Sequence, residues 1–340
     1  MVIVGGGIAG LTLGIGLRQH GVPVTLWEAG HYPRHRVCGE FISGRGQEVL
    51  ARIGLLGLLG NAGICLARTA AFFERSTSIP PRPLPQPGLC ISRFVLDRVL
   101  AGEFQRIGGE LEAGERWHGH EAPGVVHASG RRIEPKVDGY RWIGLKAHAS
   151  NVFPLADMEL HFLSSGYVGV CRLPGNIFNV CGLFRSETSI PDLATHWQQW
   201  LRGSEGSPLH DRLVHARFEE SSFCTVAGLD TRGRKPEAQG ECRIGDALTM
   251  IPPMTGNGMS MALESAELAL GPLVKYSRGE LEWPQACRKI ARACNGRFSR
   301  RLLWARWLQQ IAFQPLPRRS LMRLAGRFEP LSRALFAWTR

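Results

Sequence analysis

Two groups of residues in this 340-residue chain have the types and spacing to hold a dinucleotide. The first is Gly5-Gly6-Gly7-Ile8-Ala9-Gly10, a G-x-G-x-x-G run. In such a run Gly5 permits a tight turn, Gly7 lets the backbone approach a pyrophosphate, and Gly10 allows close packing of helix on strand. A helix opening at Ile8 turns its unsatisfied N–H groups and its positive dipole end toward the phosphates. Glu28 follows Gly10 by 18 residues, at the end of the next strand, where a carboxylate accepts hydrogen bonds from ribose hydroxyls.

The second group decides which dinucleotide. Arg243-Ile244-Gly245-Asp246-Ala247 reads as a strand that delivers an acid, and Ile251-Pro252-Pro253-Met254-Thr255-Gly256-Asn257-Gly258-Met259 reads as a stiff glycine-proline loop entering a helix. Asp246 is placed to bind a sugar-like hydroxyl, and Gly256 and Gly258 let backbone lie against a flat ring. The helix from Met259 then aims its N-terminus at the ring's electron-rich edge, which stabilises a reduced, anionic flavin. The two groups together predict FAD.

The elements that must position these residues are legible in outline. Val2-Ile3-Val4, the helix from Ile8 to His20, and Val24-Thr25-Leu26-Trp27 form a strand–helix–strand unit of the length a parallel crossover needs. Residues 31–47 read as a basic loop, and Gln47 to Leu59 as helix. The proline-dense stretch 79–88 is read as a crossing between domains rather than a central strand. Ser92 is a candidate N-cap for a helix reaching Ile107. From 139 to 185 short β-rich runs separated by glycine turns predict an antiparallel sheet, residues 192–217 read as helical, and the last sixty residues are helical with breaks at Pro315 and Pro317.

Composition narrows the function classes. The chain is 44% hydrophobic and 21% charged, and it has no apolar run of about 18 residues, so no transmembrane helix is expected. Met1 leads directly into a strand, so no export signal is expected. Nine cysteines without a C-x-x-C pair read as reduced thiols, and zinc spacing is absent. A cytoplasmic location is expected. The net charge of +12 resides in residues 283–340, where thirteen Arg and Lys face the single acid Glu329. That is a terminal segment rather than a nucleic-acid-binding surface, and no nucleic-acid fold motif accompanies it.

Four segments give the chain a family likeness over residues 1–275: the glycine run with Glu28, Arg36-Val37-Cys38-Gly39-Glu40, Arg93-Phe94-Val95-Leu96-Asp97, and Gly245-Asp246 with its Pro252–Met259 tail. It resembles the superfamily of para-hydroxybenzoate hydroxylase-type monooxygenases, flavin-dependent halogenases and geranylgeranyl reductases. The resemblance implies that Arg93 lies near the flavin, that Asp246 binds its ribityl–phosphate portion, and that Arg36, Cys38 and Gly39 contact the cofactor. The Cys38-Gly39-Glu40 loop looks most like the reductases, whereas Pro252-Pro253 and Gly258-Met259 look more like the hydroxylases. The reductases' Y-x-W-x-F-P has a partial counterpart, without its Trp, in Tyr167-Val168-Gly169-Val170-Cys171. The halogenases' W-x-W-x-I-P is absent, so halogenation is not expected. The middle D-G motif is replaced by Ser129-Gly130-Arg131.

The fold expected is α/β: a Rossmann-like FAD-binding domain (1–60, 88–135 and 236–275), an inserted, mostly antiparallel substrate domain (61–87 and 136–235), and a basic helical tail (276–340). The expected cofactor residues are Gly5, Gly7, Gly10, Glu28, Arg36, Cys38, Gly39, Arg93, Gly245, Asp246, Gly256, Gly258 and Met259. No catalytic acid or base stands out; Cys38 and Tyr167 are weak candidates, each set against an ordinary packing role. Lys146 and His148 share one strand face, which lines a pocket or meets water. In the tail, Trp304, Trp307, Leu308 and Ile311 alternate with Arg300, Arg301 and Arg306, and Leu321, Leu324 and Phe328 with Arg318, Arg319, Arg323 and Arg327. This suits either a cap with its arginines in water or a helix drawn to the anionic inner face of a membrane. The activity expected is monooxygenation of a hydrophobic or aromatic small molecule, with NAD(P)H as transient reductant. The alternatives are reduction of carbon–carbon double bonds in a lipophilic substrate and a non-catalytic flavin-binding protein.

Overall fold

A computed structural model describes residues 1–75, 77–131, 133–188, 193–230 and 241–338. The strand–helix–strand unit is present: β1 (Val2–Val4), α1 (Ile8–Gln19) and β2 (Thr25–Glu28). Gly5 makes the turn after β1 with φ +110, and a Cβ there would overlap the Ala128 carbonyl, so only glycine fits. Next come β3 (Phe41–Ile42), α2 (Gly44–Arg52) and α3 (Leu56–Asn61). The single helix read over Gln47 to Leu59 is thus two, divided where Gly54 takes φ +75 and stops the first.

The chain continues through β4 (Cys65–Glu74), β5 (Thr77–Cys90), α4 (Arg93–Arg106), β6 (Glu110–Ala113) and β7 (Val125–His127). Ser92 caps α4, its hydroxyl accepting from Val95 N–H at 3.2 Å. The proline-dense stretch is therefore strand β5, not a loop crossing. Only Leu89 and Cys90 pair with β3, so β5 is an outer edge over most of its length, where prolines without N–H groups leave no ladder bond unmade.

Then follow β8 (Arg141–Ser150), β9 (Met158–Phe162), β10 (Gly166–Arg172), β11 (Phe178–Ser186), α5 (Leu193–Arg202), α6 (Pro208–Leu213), β12 (Arg217–Ala227) and β13 (Cys242–Arg243). The helical expectation for 192–217 is met by α5 and α6. The chain ends in four helices, α7 (Gly258–Ser277), α8 (Trp283–Ala312), α9 (Pro315–Arg327) and α10 (Glu329–Trp338).

These strands form two sheets. One is five-stranded and parallel, in the order β13-β7-β1-β2-β6. The other has eight strands in the order β12-β8-β11-β10-β9-β4-β5-β3, antiparallel except where β4 meets β9. The fold is thus a Rossmann-like parallel sheet joined to a mostly antiparallel sheet, with C-terminal helices. The expected boundary at 235/236 lies outside the described residues.

The tail is built into the body. Along α8, Ala286, Cys287, Ile290, Cys294, Phe298, Leu302 and Ala305 recur at helical spacing and are buried against α7 and β13. Two arginines leave the solvent face altogether. Arg301 is 4% exposed and grips Glu264 of α7 through two bonds of 2.6 and 3.2 Å. Arg318 is 5% exposed and bonds Glu74 at 2.6 Å and the carbonyl of Ala312.

A buried pair of this kind punishes removal of one partner more than removal of both. Glu264→Gln should lower unfolding free energy by about 3 kcal/mol, and the double variant Glu264→Met/Arg301→Met should recover most of it. Urea denaturation of the three proteins checks this; equal losses in both variants would disprove it.

Candidate functional site

A cavity of about 820 Å³ is lined from both sheets and from the tail. At one end it meets the N-terminus of α1. Gly7 caps that helix without a side-chain hydrogen bond, no acid sits in the first turn, and a Cβ at Gly7 would meet open space. The first-turn N–H groups are therefore free to receive an anion. The N-terminus of α7 also reaches the cavity, through Gly258 and Met259, again without a side-chain cap or a first-turn acid. Two uncapped helix ends on one cavity suit a ligand with phosphates at one place and an electron-rich ring edge at another.

Of the residues read from sequence, Gly7, Arg36, Cys38, Gly39, Arg93, Gly245, Asp246, Gly256, Gly258 and Met259 line this cavity together. Gly5, Gly10 and Glu28 stand behind the lining. Glu28 accepts from Gly6 N–H and Gly30 N–H, each at 2.9 Å, and from Arg34 at 2.5 Å. Burial works to raise its pKa, but the Gly30 N–H and the Arg34 and Arg36 guanidiniums prevail and hold it below the usual range. Arg36 spans Glu28 at 3.4 Å and Asp97 at 3.2 Å, and Arg93 binds Asp97 with two bonds of 2.8 and 2.7 Å. The basic loop over residues 31–47 is thereby pinned to β2 and α4. Asp246 lies at the other side of α1, because Gly245 packs so closely that a Cβ would sit 2.9 Å from that of Ala9. Burial raises the Asp246 pKa, against the pull of Arg131 and Arg93.

Lys146 and His148 share a face, as their alternation requires, but both side chains are buried, and they stand behind Glu40 and His35 of the cavity lining rather than in it. Both are buried around Glu40, which is fully buried and has φ +56. Its carboxylate receives His148 Nε2 at 2.7 Å, Arg93 N–H at 2.8 Å and Lys146 Nζ at 3.5 Å. Burial opposes its ionisation, yet these partners keep its pKa below the ordinary value. Lys146 also donates to His35 Nδ1 at 3.0 Å, and His35 stacks on Phe94 with ring centroids 4.6 Å apart. Burial, then the Lys146 charge, lower the His35 pKa to about 4.

The two weak catalytic candidates have defined surroundings. Burial raises the Cys38 thiol pKa despite Arg93, so at neutral pH it is a thiol rather than a thiolate. Tyr167 borders the cavity, and its hydroxyl is buried with no hydrogen-bond partner among the described residues. Burial pushes its pKa well above the ordinary value.

Sequence reasoning did not assign three parts of the site. The Glu40 network joins residues more than a hundred positions apart, with only the alternation of Lys146 and His148 as a signal. Arg131 lines the cavity directly after Ser129-Gly130, which stand where the family's Asp-Gly would be. The far wall comes from α9 and α10, through Leu321, Met322, Leu335 and Phe336, which composition marks only as an apolar-basic tail.

This architecture and cavity define a class by fold: it is the fold of solved flavin-dependent monooxygenases and of a flavin-dependent brominase. Residues 3–50 match the NAD(P)-binding Rossmann-like domain family. A rifampicin monooxygenase from Streptomyces venezuelae is 30% identical over 301 residues, covering 78% of this chain and 62% of that protein. The chain thus spans about three fifths of the length of this curated relative. Among solved structures, p-nitrophenol 4-monooxygenase from Pseudomonas putida superposes with a TM-score of 0.77 at 14% identity, covering 99% of this chain and 97% of that one. A flavin-dependent brominase gives 0.74 at 17% identity, covering 100% and 94%. Pseudomonas aeruginosa PqsL with 2-aminobenzoylacetate gives 0.71 at 15% identity, covering 94% and 97%.

The depressed pKa of His35 has a sign. Folded His35 resists protonation until about pH 4, whereas the unfolded residue takes up its proton near 6.5. Its contribution is therefore intact above pH 6.5 and is lost as pH falls from there toward 4. His35→Asn should flatten part of the decline in urea midpoint between pH 7.5 and pH 5; parallel declines in both proteins would disprove the assignment.

Proposed function

We propose that this chain is an FAD-dependent monooxygenase acting on a hydrophobic, uncharged small molecule, with NAD(P)H as a transient reductant. The observation that carries this reading is the pair of uncapped helix ends, α1 and α7, opening on one cavity with an apolar far end. The α1 end, with Gly7, fits the pyrophosphate. Asp246 fits the ribityl hydroxyls, Glu28, Arg36 and Arg93 fix the surrounding loop, and Gly256, Gly258 and Met259 fit the ring. When bound, FAD supplies the redox chemistry: two electrons accepted from NAD(P)H and passed to O₂, so that one oxygen atom enters the substrate and the other leaves as water.

The protein's own residues bind, orient and exclude water. Beyond the ring-binding loop the lining turns apolar: Phe72, Ile79, Leu84 and Phe162 from the sheet face Leu321, Met322 and Phe336 from the tail. Charges at this end are already committed. Arg82 bonds the carbonyls of Ala325, at 3.0 Å, and Gly326, and the Ser332 hydroxyl at 3.1 Å. Glu159 accepts from His161 at 2.8 Å. A charged substrate would find no free partner there among the described residues, which favours a neutral one. Cys38, as a neutral thiol, and Tyr167, as a neutral phenol, are positioned to shape the chamber rather than to transfer protons. The division into a cofactor unit (1–60, 88–135, 236–275), a substrate unit (61–87, 136–235) and a tail (276–340) is part of the same reading.

Among the described residues no helix is long and apolar enough to cross a membrane. We place the outer face of the tail against an anionic bilayer. Trp304 stacks on Trp338 at 4.2 Å and meets Trp307 at 5.6 Å, while Trp307 and Leu303 are 40% and 66% exposed beside the solvent-facing Arg300.

Two experiments test these readings. The purified protein should carry FAD, be reduced anaerobically by NADPH or NADH, and incorporate ¹⁸O from ¹⁸O₂ into a neutral aromatic from a screened set. Saturation of an alkene without oxygen uptake would instead make it a reductase, and flavin that neither nicotinamide nor dithionite reduces would make it a binding protein. In sedimentation with vesicles, the protein should bind phosphatidylcholine containing phosphatidylglycerol, release in 0.5 M salt (about a 4 Å screening length), and weaken with Trp307→Ser. Equal recovery with neutral vesicles, or none with either, would remove the membrane from the account.

A further inference from the structure

Among the described residues, six arginines line the cavity: Arg34, Arg36, Arg82, Arg93, Arg131 and Arg333. Five of them are already bonded. Arg34 and Arg36 hold Glu28, Arg93 holds Asp97, Arg82 holds carbonyls of α9, and Arg333 pairs with Glu329 at 2.7 Å. Among the described residues, Arg131 has no hydrogen bond and no ion pair, although it is half-buried. A guanidinium removed from water without a partner is costly, so its natural complement is an anionic ligand of the cavity.

Its position says which anion. The backbone carrying it lies on the glycine turn: β7 pairs with β1 through His127 and Val4, and a Cβ on Gly5 would come within 2.7 Å of Ser129 Cα. Arg131 therefore stands beside the uncapped N-terminus of α1. Asp246 stands at the same helix end from the other side, through the contact of Gly245 with Ala9. The two opposite charges influence each other, but no ion pair closes between them. A cation and an anion held apart around free N–H groups call for a molecule with phosphate for one and hydroxyl donors for the other.

We propose that Arg131 binds the flavin-side phosphate of FAD, next to the polyol already assigned to Asp246. The inference rests on the FAD reading above and deepens it. It gives the residue that follows Ser129-Gly130 a role of its own: the protein clamps the phosphate directly with a guanidinium, in addition to the helix end.

The test is a titration of the flavin-stripped full chain with FAD, FMN and riboflavin, followed by calorimetry, in wild type, Arg131→Gln and Arg131→Lys. FMN retains the flavin-side phosphate and riboflavin has none. Arg131→Gln should weaken FAD and FMN alike by roughly 10- to 100-fold, leave riboflavin within about twofold, and lose this effect progressively in high salt. Arg131→Lys should restore part of the affinity, because a lysine keeps the charge without the fork. Unchanged FAD and FMN affinities would overturn the proposal and reassign Arg131 to another anion, such as a carboxylate on a substrate. Weakening of FAD alone would move the contact to the adenosine-side phosphate, and equal weakening of riboflavin would make Arg131 a structural residue; either result overturns it. A wild type that binds none of the three flavins would instead refute the FAD reading itself.

Discussion

A carboxylate with no access to water, on a backbone in the left-handed region, must have its charge answered from every side. Glu40 meets that demand with His148 and Lys146 from the antiparallel sheet and the Arg93 N–H from the start of α4. The cavity depends on this arrangement. The loop between β2 and β3 carries Arg34, Arg36, Cys38 and Gly39 along the cavity edge, and it is fixed at both ends by buried acids. Glu28 and Asp97 hold its arginines to the parallel-sheet side, and Glu40 holds its far end to the other sheet. Loops that approach ligands are often mobile. This one is tied by charge-assisted bonds whose loss would leave ions stranded in a dry interior.

The helix ends follow the opposite rule. A helix terminus is ordinarily satisfied by a neighbouring side chain, as Ser92 satisfies α4. At α1 and α7 that satisfaction is withheld, and both ends face the cavity. The stability forgone is modest, about 1 kcal/mol per cap, whereas N–H groups fixed in advance can serve a phosphate or an anionic ring edge with no reorganisation. Around this cavity, completed ion networks at the rim stand beside two helix ends without side-chain caps, a feature α2, α3, α8 and α9 share away from it.

The parts legible in the sequence are those whose logic is local. Gly5, Gly7 and Gly10 announce their turn because each does its work within a few residues of itself, and Ser92 announces α4 for the same reason. The fold class was legible too, since β1–α1–β2 and the glycine-punctuated runs after residue 139 have different periods. What escaped was decided by partners far along the chain. The prolines of β5 speak against a strand until an edge position removes the need for their N–H groups. Lys146 and His148 show only that they share a face; Glu40, which makes that face an ion cluster, lies over a hundred positions away. Arg301 and Arg318 look like solvent charges in an amphipathic tail, and only Glu264 and Glu74 turn them inward. Local chemistry writes itself into spacing, whereas burial of charge is a property of pairs.

The wall that α9 and α10 contribute to the cavity has a consequence for the order of biosynthesis. The glycine turn precedes Asp246 and the α7 end in chain order, so the part of the cavity where they meet is incomplete until residues up to Met259 have emerged. The apolar chamber lacks its wall until Leu335 and Phe336 have followed. A growing chain thus completes the end of the cavity bounded by α1 and α7 while the neighbouring chamber is still open along one side. That order allows a ligand of the α1 and α7 ends to enter through a side that α9 and α10 afterwards close.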